Sequence, residues 1–292
     1  MRALSIGELA LEAITGAWSA KVIGVTSGGV FVIASARRVL FLTYSPFHSP
    51  STVNLERALV DLRQNEIGAK VELGGGRIHL PDSGLLVDLD GAAIWKAEPV
   101  KALSEEQVSG IRLRLDRSSL AAAEQKGAQG LAPVLHWLIG RGTAELTGDV
   151  TEKVLRGLEK LRVAISAGRV DDCLIAAGLI VGHGRGLTPA ADDCLAGVLL
   201  ALNRWKSTVL QNLDLAALNG GILELARAKT TTLSSTIIEA ATLGQGDERI
   251  LCVLDGIMTG EWDEVDAIQD LVRMGHSSGV DTLVGISLVL TA

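Results

Sequence analysis

The chain has 292 residues, enough for one large domain or two ordinary domains with a buried core. Its formal net charge is −7 at pH 7 and only 3% of its residues are aromatic, so the sequence offers nucleic acid neither a basic surface nor stacking rings. Its apolar runs are shorter than the roughly 18–20 residues that a membrane-spanning helix needs, which argues against a membrane protein.

The cysteines and the N-terminal segment indicate the cellular compartment in which the protein is expected. Cys173, Cys194 and Cys252 show no CxxC spacing and lie in apolar segments, which predicts buried thiols rather than disulfides or zinc ligands. The N-terminal segment lacks the pattern of a signal peptide. We therefore expect a soluble, cytoplasmic protein.

The first hundred residues predict strands, because short β-branched and apolar runs alternate with turn signals. Three hairpins are expected, joining runs 22–26 and 30–34, 71–73 and 77–80, and 85–89 and 92–95. The last hairpin is predicted from Asp90-Gly91, a strong signal for a tight turn. With one helix near residues 54–64, residues 1–102 predict an antiparallel, barrel-like β-rich domain.

The rest of the chain predicts helices. After a connection that contains Pro99, Ser104 and Gln107 have the spacing of a capping box. Helical periodicity then marks segments 152–166, 170–181, 190–206, 211–228, 234–243, 246–259, 263–273 and 279–290. The predicted fold class is α+β, with an all-helical domain at residues 103–292.

The most informative segment is the glycine-rich run 182–197, which leads into one of these helices. Its glycines permit backbone conformations closed to other residues, Thr188 can cap, and Pro189 suits a first helical position. Asp192 and Asp193 fall near the first turn, where carboxylates favour the helix dipole. The run matches neither a dinucleotide-binding fingerprint nor a Walker A loop.

A related segment occurs near the C-terminus, at residues 276–285. Aligning Asp193 with Asp281 also places Gly197 over Gly285, each four residues after its aspartate and on the same helix face. Such glycines permit close helix packing or close approach of a ligand. Two similar helix N-termini, each with unpaired N–H donors and a positive dipole end, predict a paired anion-binding or metal-assisted site.

A third segment, 229–236, carries Lys229 and six hydroxyl side chains ahead of an apolar helix. It predicts a set of hydrogen-bond donors for phosphate or carboxylate, with a polar loop and an ordinary helix start as the alternative. His276 lies beside a helix N-terminus, which should favour its neutral form and suits acid–base work. Arg185 is a candidate clamp for a carboxylate.

These three segments resemble the bacterial family that contains the AllH-type subunit of oxamate carbamoyltransferase. The matching positions are Gly182, Gly184, Gly186, Leu187, Thr188, Pro189, Asp192, Asp193, Leu195, Gly197, Thr230, Thr231, Ser234, Gly275, His276, Ser277, Ser278, Gly279 and Asp281. The family pattern has Pro where this chain has Arg185, and Ser-Gly where it has Ala190 and Ala191. The hydroxyl missing at residue 190 removes one donor, which puts ligand specificity in question.

The resemblance implies a multi-subunit enzyme that interconverts oxalurate plus phosphate with oxamate plus carbamoyl phosphate, late in anaerobic allantoin use and purine catabolism. The hypothesis gives catalytic roles to His276, Asp193 and Asp281, with His276 transferring a proton. Asp192, Asp193 and Asp281 would orient donors or hold Mg²⁺ together with a ligand phosphate. The candidate substrate-binding residues are Gly184, Arg185, Gly186, Thr188, Lys229, Thr230, Thr231, Ser234, Ser277, Ser278 and Gly279.

Three functions fit this pattern. The chain could be an enzyme subunit completed by other subunits or by copies of itself. It could also be a self-sufficient Mg²⁺-dependent enzyme that acts on a phosphorylated or carbamoylated metabolite. Alternatively, it could be a scaffold subunit that binds a small anionic metabolite without chemistry.

Overall fold

The structure, a computed structural model, describes residues 1–15, 17–34, 38–56, 62–209 and 212–292. It divides into two compact units, Met1–Glu98 and Pro99–Ala292. The first is built on one nine-stranded sheet, whereas the described residues of the second form helices and connections without strands. The predicted α+β fold class, with β-structure followed by helices, is confirmed.

The strands of the described residues form one sheet, in the order β8-β7-β6-β2-β3-β4-β5-β1-β9. Its strands are β1 (Ala3–Gly7), β2 (Ser19–Thr26), β3 (Gly29–Ile33), β4 (Val39–Thr43), β5 (Thr52–Leu55), β6 (Lys70–Gly74), β7 (Arg77–Leu80), β8 (Leu85–Asp88) and β9 (Ala93–Trp95). Most neighbouring strands are antiparallel, but β4–β5 and β1–β9 are parallel. A short helix, α1 (Glu8–Ile14), follows β1.

The sheet curls until its far ends meet at β1. The N-terminal amino group donates to Leu86 O at 3.0 Å, and the amide of Asp88 donates to Met1 O at 2.8 Å. Valine and leucine side chains, among them Val30 and Leu42, are completely buried inside this curl. Alternating apolar residues on curled strands thus produce the barrel-like shape that the sequence predicts.

Two of the three predicted hairpins are present, as β2–β3 and β6–β7. The third is wrong, because β8 pairs with β7 while β9 runs parallel to β1. Asp88 pairs with Arg2, and Ala93 pairs with Ser5 in the same direction. The turn at Asp90-Gly91 is therefore a bulge in the segment that pairs with β1. The residues between Asp88 and Ala93 loop out, and the chain then continues parallel to β1.

Two smaller predictions have different outcomes. The helix expected near residues 54–64 falls largely on residues 57–61, which lie outside the described residues; Thr52–Leu55 before them is a strand and Leu62–Gln64 after them a short 3₁₀ turn. Cys173 and Cys194 are buried thiols as expected, whereas Cys252 is exposed on its helix, a correction. Among the described residues, none of the helices is both long and apolar enough to cross a bilayer.

The described part of the second unit consists of consecutive helices, and the eight segments predicted from periodicity each lie close to one of them. They are α2 (Glu105–Lys126), α3 (Ala132–Leu138), α4 (Glu152–Ser166), α5 (Val170–Ile180), α6 (Ala190–Arg204), α7 (Lys206–Val209), α8 (Leu215–Lys229), α9 (Thr232–Thr242), α10 (Glu248–Thr259), α11 (Glu264–Val272) and α12 (Ser278–Leu290). Side-chain caps start several of them, and Ser104 and Gln107 form the predicted capping box at α2.

Helices α6 and α12 pack with their backbones in contact. A β-carbon on Gly197 would overlap the carbonyl oxygen of Thr282, and one on Gly285 would overlap that of Cys194. Both helices are almost entirely buried, and their starts lie side by side, so they run in the same direction from a common end. The two glycines serve helix packing, one of the two roles that the sequence suggests for them.

We expect Gly197→Ala and Gly285→Ala each to lower the free energy of unfolding by about 1–3 kcal/mol or more, because a methyl group has no room between the two backbones. Urea denaturation followed by circular dichroism measures the change. Gly220→Ala is the matched control, since Gly220 lies within α8 with nothing within 4 Å of an added β-carbon. There alanine should stabilise by roughly 0.5–1 kcal/mol. Equal effects at all three glycines would contradict the packing explanation.

Candidate functional site

The starts of α6 and α12 meet at a pair of hydroxyl groups. Thr188 Oγ1 lies 3.1 Å from Ser278 Oγ, although the two residues are 90 positions apart in the chain. Asp193 is the fourth residue of α6 and Asp281 the fourth residue of α12. The structure therefore brings the two predicted helix N-termini, with their aspartates, into one place.

Asp192 holds the glycine-rich loop to the start of α9. Its Oδ1 accepts a hydrogen bond from the Gly182 amide at 2.7 Å, and its Oδ2 accepts one from the Thr230 hydroxyl. Burial raises the pKa of Asp192, while the bonds from Thr230 and Gly182 oppose that rise. Since both carboxylate oxygens already have donors within the chain, Asp192 holds the glycine-rich loop against the start of α9.

The glycine-rich loop folds back over the start of α6. The Ala191 amide donates to His183 O at 2.9 Å, which uses one N–H of the first turn. Gly184 has a φ of 121°, and a β-carbon there would overlap the amide nitrogen of Ala190. Gly184, Arg185 and Gly186 are themselves exposed, so the loop presents its outer side to solvent.

Asp193 is buried at the junction of the two helices, with only 4% of its surface exposed. Burial raises its pKa well above the ordinary value, and the negative charge of Asp281 raises it further. The hydroxyls of Ser278 and Thr188 act in the opposite direction. Its Oδ2 has no hydrogen-bond partner among the described residues. Burial and the neighbouring carboxyl group both favour the protonated form of Asp193.

Asp281 occupies the equivalent position on α12 and is 1% exposed. Its Oδ1 accepts a hydrogen bond from the Leu131 amide at 2.6 Å, while its Oδ2 has no partner in the described chain. Burial raises the pKa of Asp281 to about 7. Gly130, with a φ of 54°, lies so close that a β-carbon would overlap both Asp281 Oδ1 and the Ser277 side chain.

Lys126 is a residue of this site that sequence reasoning missed. It ends α2, and its Nζ donates a hydrogen bond to the carbonyl oxygen of His276, directly before the start of α12. Partial burial lowers the pKa of Lys126, and the charge of Asp281 opposes this. No motif surrounds Lys126, and its partners lie some 150 positions away, so no local signal pointed to it.

The hydroxyl segment before and within α9 is used largely inside the protein. Thr231 donates to Leu187 O at 2.7 Å and caps α9 by accepting from the Ser234 amide at 3.0 Å. Ser235 and Thr236 donate to carbonyl oxygens of their own helix. This segment therefore fixes the glycine-rich loop from one side, through Thr230 and Thr231.

Four other candidates lie at the edge of the site or away from it. Lys229 directs its ammonium group to Gly178 O, at 3.4 Å, in a groove between α5 and α8. Gly279 packs against the carbonyl of Leu271, where a β-carbon would overlap. The His276 side chain is exposed beside the start of α12, and Ser277 is partly buried at its N-cap.

The geometry bears on the magnesium hypothesis. Within the described ranges, no three His, Cys, Asp or Glu side chains come together as a set that could hold a metal ion. Asp192 in addition has both oxygens occupied by donors of the chain. A magnesium ion held by Asp193 or Asp281 together with a ligand phosphate stays a prediction.

The raised pKa of Asp281 predicts a dependence of stability on pH. The folded state binds this proton more tightly than the unfolded state, so its contribution is largest at acidic pH and is lost as pH rises toward about 7. Between pH 5 and pH 7 the free energy of unfolding should fall by up to about 1.4 kcal/mol per pH unit relative to Asp281→Asn. Asparagine cannot titrate, and it can still accept from Leu131.

Urea denaturation at pH 5, 6, 7 and 8 measures this difference. The exposed Asp171, in the first turn of α5, provides the control variant Asp171→Asn, which should follow the wild-type profile. Parallel profiles for the wild type and Asp281→Asn would show that Asp281 titrates as an ordinary carboxyl.

Comparison with known proteins covers part of the second unit. The family model described as oxamate carbamoyltransferase subunit AllH matches residues 180–290, which contain the glycine-rich loop, the hydroxyl segment and both aspartate-bearing helices. The resemblance inferred from the motifs is thereby confirmed over these residues. Neither the curated proteins nor the solved structures contain a match.

Proposed function

We propose that the chain is a subunit of an oxamate carbamoyltransferase-like enzyme and binds a small anion, of the carbamoyl phosphate or oxamate class, where α6 and α12 start. The observation that carries this proposal is the convergence of two helix N-termini whose hydroxyls, Thr188 and Ser278, lie 3.1 Å apart. Helix N-termini attract anions through unpaired N–H groups and the positive end of the dipole.

The start of α12 has more unpaired amides than that of α6. In the first three residues of α6 the amides of Ala191 and Asp192 donate to His183 O and Pro189 O, whereas in those of α12 the Gly279 amide alone has an acceptor among the described residues, Met274 O at 3.4 Å. At α12 the amides of Ser278 and Val280 have no acceptor among the described residues. The hydroxyl of Ser278 lies in the same first turn. An anion at α12 would therefore meet both backbone and side-chain donors.

Two buried aspartates beside an anion would oppose binding if both were charged. Burial raises the pKa of Asp193 well above its ordinary value and that of Asp281 to about 7. Both shifts reduce the negative charge of the two carboxyl groups, and Asp281 is charged only in part near pH 7. The positive potential of the two helix starts consequently stays available to a ligand.

The proposed reaction transfers a carbamoyl group from carbamoyl phosphate to the nitrogen of oxamate. A carbon–nitrogen bond forms, the carbon–oxygen bond to phosphate breaks, and the oxamate nitrogen loses a proton. Donors at the helix starts would stabilise the negative charge that develops on the carbamoyl oxygen. His276, exposed next to this position, is the candidate that accepts the proton, and partner subunits would complete the site.

Calorimetric titration of the purified chain with oxamate, and separately with carbamoyl phosphate, tests the binding step. We expect saturable binding that Ser278→Ala weakens by about tenfold or more, because a hydrogen bond to a charged ligand contributes roughly 1.5–3 kcal/mol. Ser235→Ala is the control, since the Ser235 hydroxyl bonds within its own helix at 3.0 Å.

The outcomes separate the proposed functions. Equal affinities of the wild type and Ser278→Ala would show that the anion does not bind at the start of α12. Turnover by the isolated chain would favour a self-sufficient enzyme. Binding that never supports turnover, even with partner subunits, would favour a non-catalytic anion-binding subunit.

A further inference from the structure

Lys126 brings a positive charge to the start of α12 from a distant part of the chain. Its Nζ donates to the carbonyl of His276, two residues before the first residue of the helix. The residues that follow Lys126 then pass over the helix start, where Gly130 touches Asp281 and Ser277. The side chain is partly buried, and an ammonium group with fewer waters attracts an anion more strongly.

The helix start beside Lys126 carries unpaired backbone donors as well as the carboxyl group of Asp281, whose charge acts on Lys126. The amides of Ser278 and Val280 have no acceptor in the described chain, and the amide of Leu131 is already bound to Asp281 Oδ1. Donors that converge without a matching acceptor are typical of a site for an anion.

Asp281 supplies an independent observation at the same place. The residue is buried, with 1% of its surface exposed, and its Oδ2 has no partner in the described chain. A buried polar atom of this kind costs free energy unless a ligand or water completes its hydrogen bonds. When Asp281 carries its proton, Oδ2 becomes one more donor for which the described residues offer no acceptor.

We propose that Lys126 is the residue that supplies the positive charge for the substrate anion, binding a carboxylate or phosphate group together with the amides of Ser278 and Val280. This inference rests on the proposed function, because it specifies the site described there. On binding, the ammonium group exchanges the carbonyl of His276 for an oxygen of the anion. The exchange replaces a neutral acceptor by a charged one and strengthens the hydrogen bond.

Lys229 provides the matched comparison. The sequence assigned this role to Lys229, which stands beside the hydroxyl segment, yet its ammonium group faces Gly178 O in the groove between α5 and α8. Both lysines end a helix and both donate to a backbone carbonyl. They differ in the carbonyl that each ammonium group contacts, because that of His276 lies directly before a helix start whereas that of Gly178 lies within α5.

Calorimetry with oxamate and with inorganic phosphate as probes tests the assignment in the full chain. Lys126→Gln should raise the dissociation constant for oxamate by about tenfold or more, and Lys126→Arg should restore most of the affinity. Lys229→Gln should bind like the wild type. Amine labelling of the wild-type chain, read by mass spectrometry, should show that oxamate protects Lys126 and leaves Lys229 reactive.

The outcomes of calorimetry and labelling distinguish the role of Lys126 from the proposed anion binding. Wild-type affinity in Lys126→Gln overturns the assignment but leaves the proposed anion binding intact, whereas absence of binding in the wild type overturns both. If Lys126→Gln does not fold, labelling decides: protection of Lys126 supports the assignment, and unchanged labelling overturns it.

Discussion

The close contact between α6 and α12 is the constraint on which the rest of the site depends. Gly197 meets the carbonyl of Thr282, and Gly285 meets the carbonyl of Cys194. These are equivalent positions of the two related segments, so each helix uses the same residue to approach the other. Because the two helices run in the same direction from this contact, their N-termini, and the loops that precede them, must lie together.

Bringing two helix starts together is unfavourable unless their donors and dipoles find partners, since the positive ends repel each other. At both starts a backbone carbonyl accepts a hydrogen bond from a first-turn amide, and a glycine-containing loop packs against the start. At α6 the loop carries Gly182 and Gly184, and at α12 it carries Gly130. These glycines have positive φ values, which side-chain-bearing residues rarely adopt. The same loops determine which donors stay available to a ligand.

Much of this arrangement follows from local sequence signals. The periodicity of apolar residues predicts most helix bounds, and the register of Asp193 with Asp281 predicts two equivalent helix starts. The contacts that span the unit could not be predicted in this way. Lys126 and Leu131 carry no motif, and only tertiary packing brings them to Asp281. Asp90-Gly91 does form a turn, but the residues before it and after it both pair with the segment of β1 in parallel, so the chain does not reverse to form a hairpin.

The three aspartates differ in whether both of their carboxyl oxygens have hydrogen-bond partners within the described chain. Asp192 has a donor for each oxygen, Gly182 and Thr230, and so fulfils a structural role completely. Asp193 and Asp281 are equally buried, yet each retains an oxygen without a partner in the described chain. A purely structural carboxyl would be expected to resemble Asp192, because unpaired buried oxygens destabilise the folded state. That this cost occurs twice, at equivalent positions beside Ser278, favours a site that a small ligand completes.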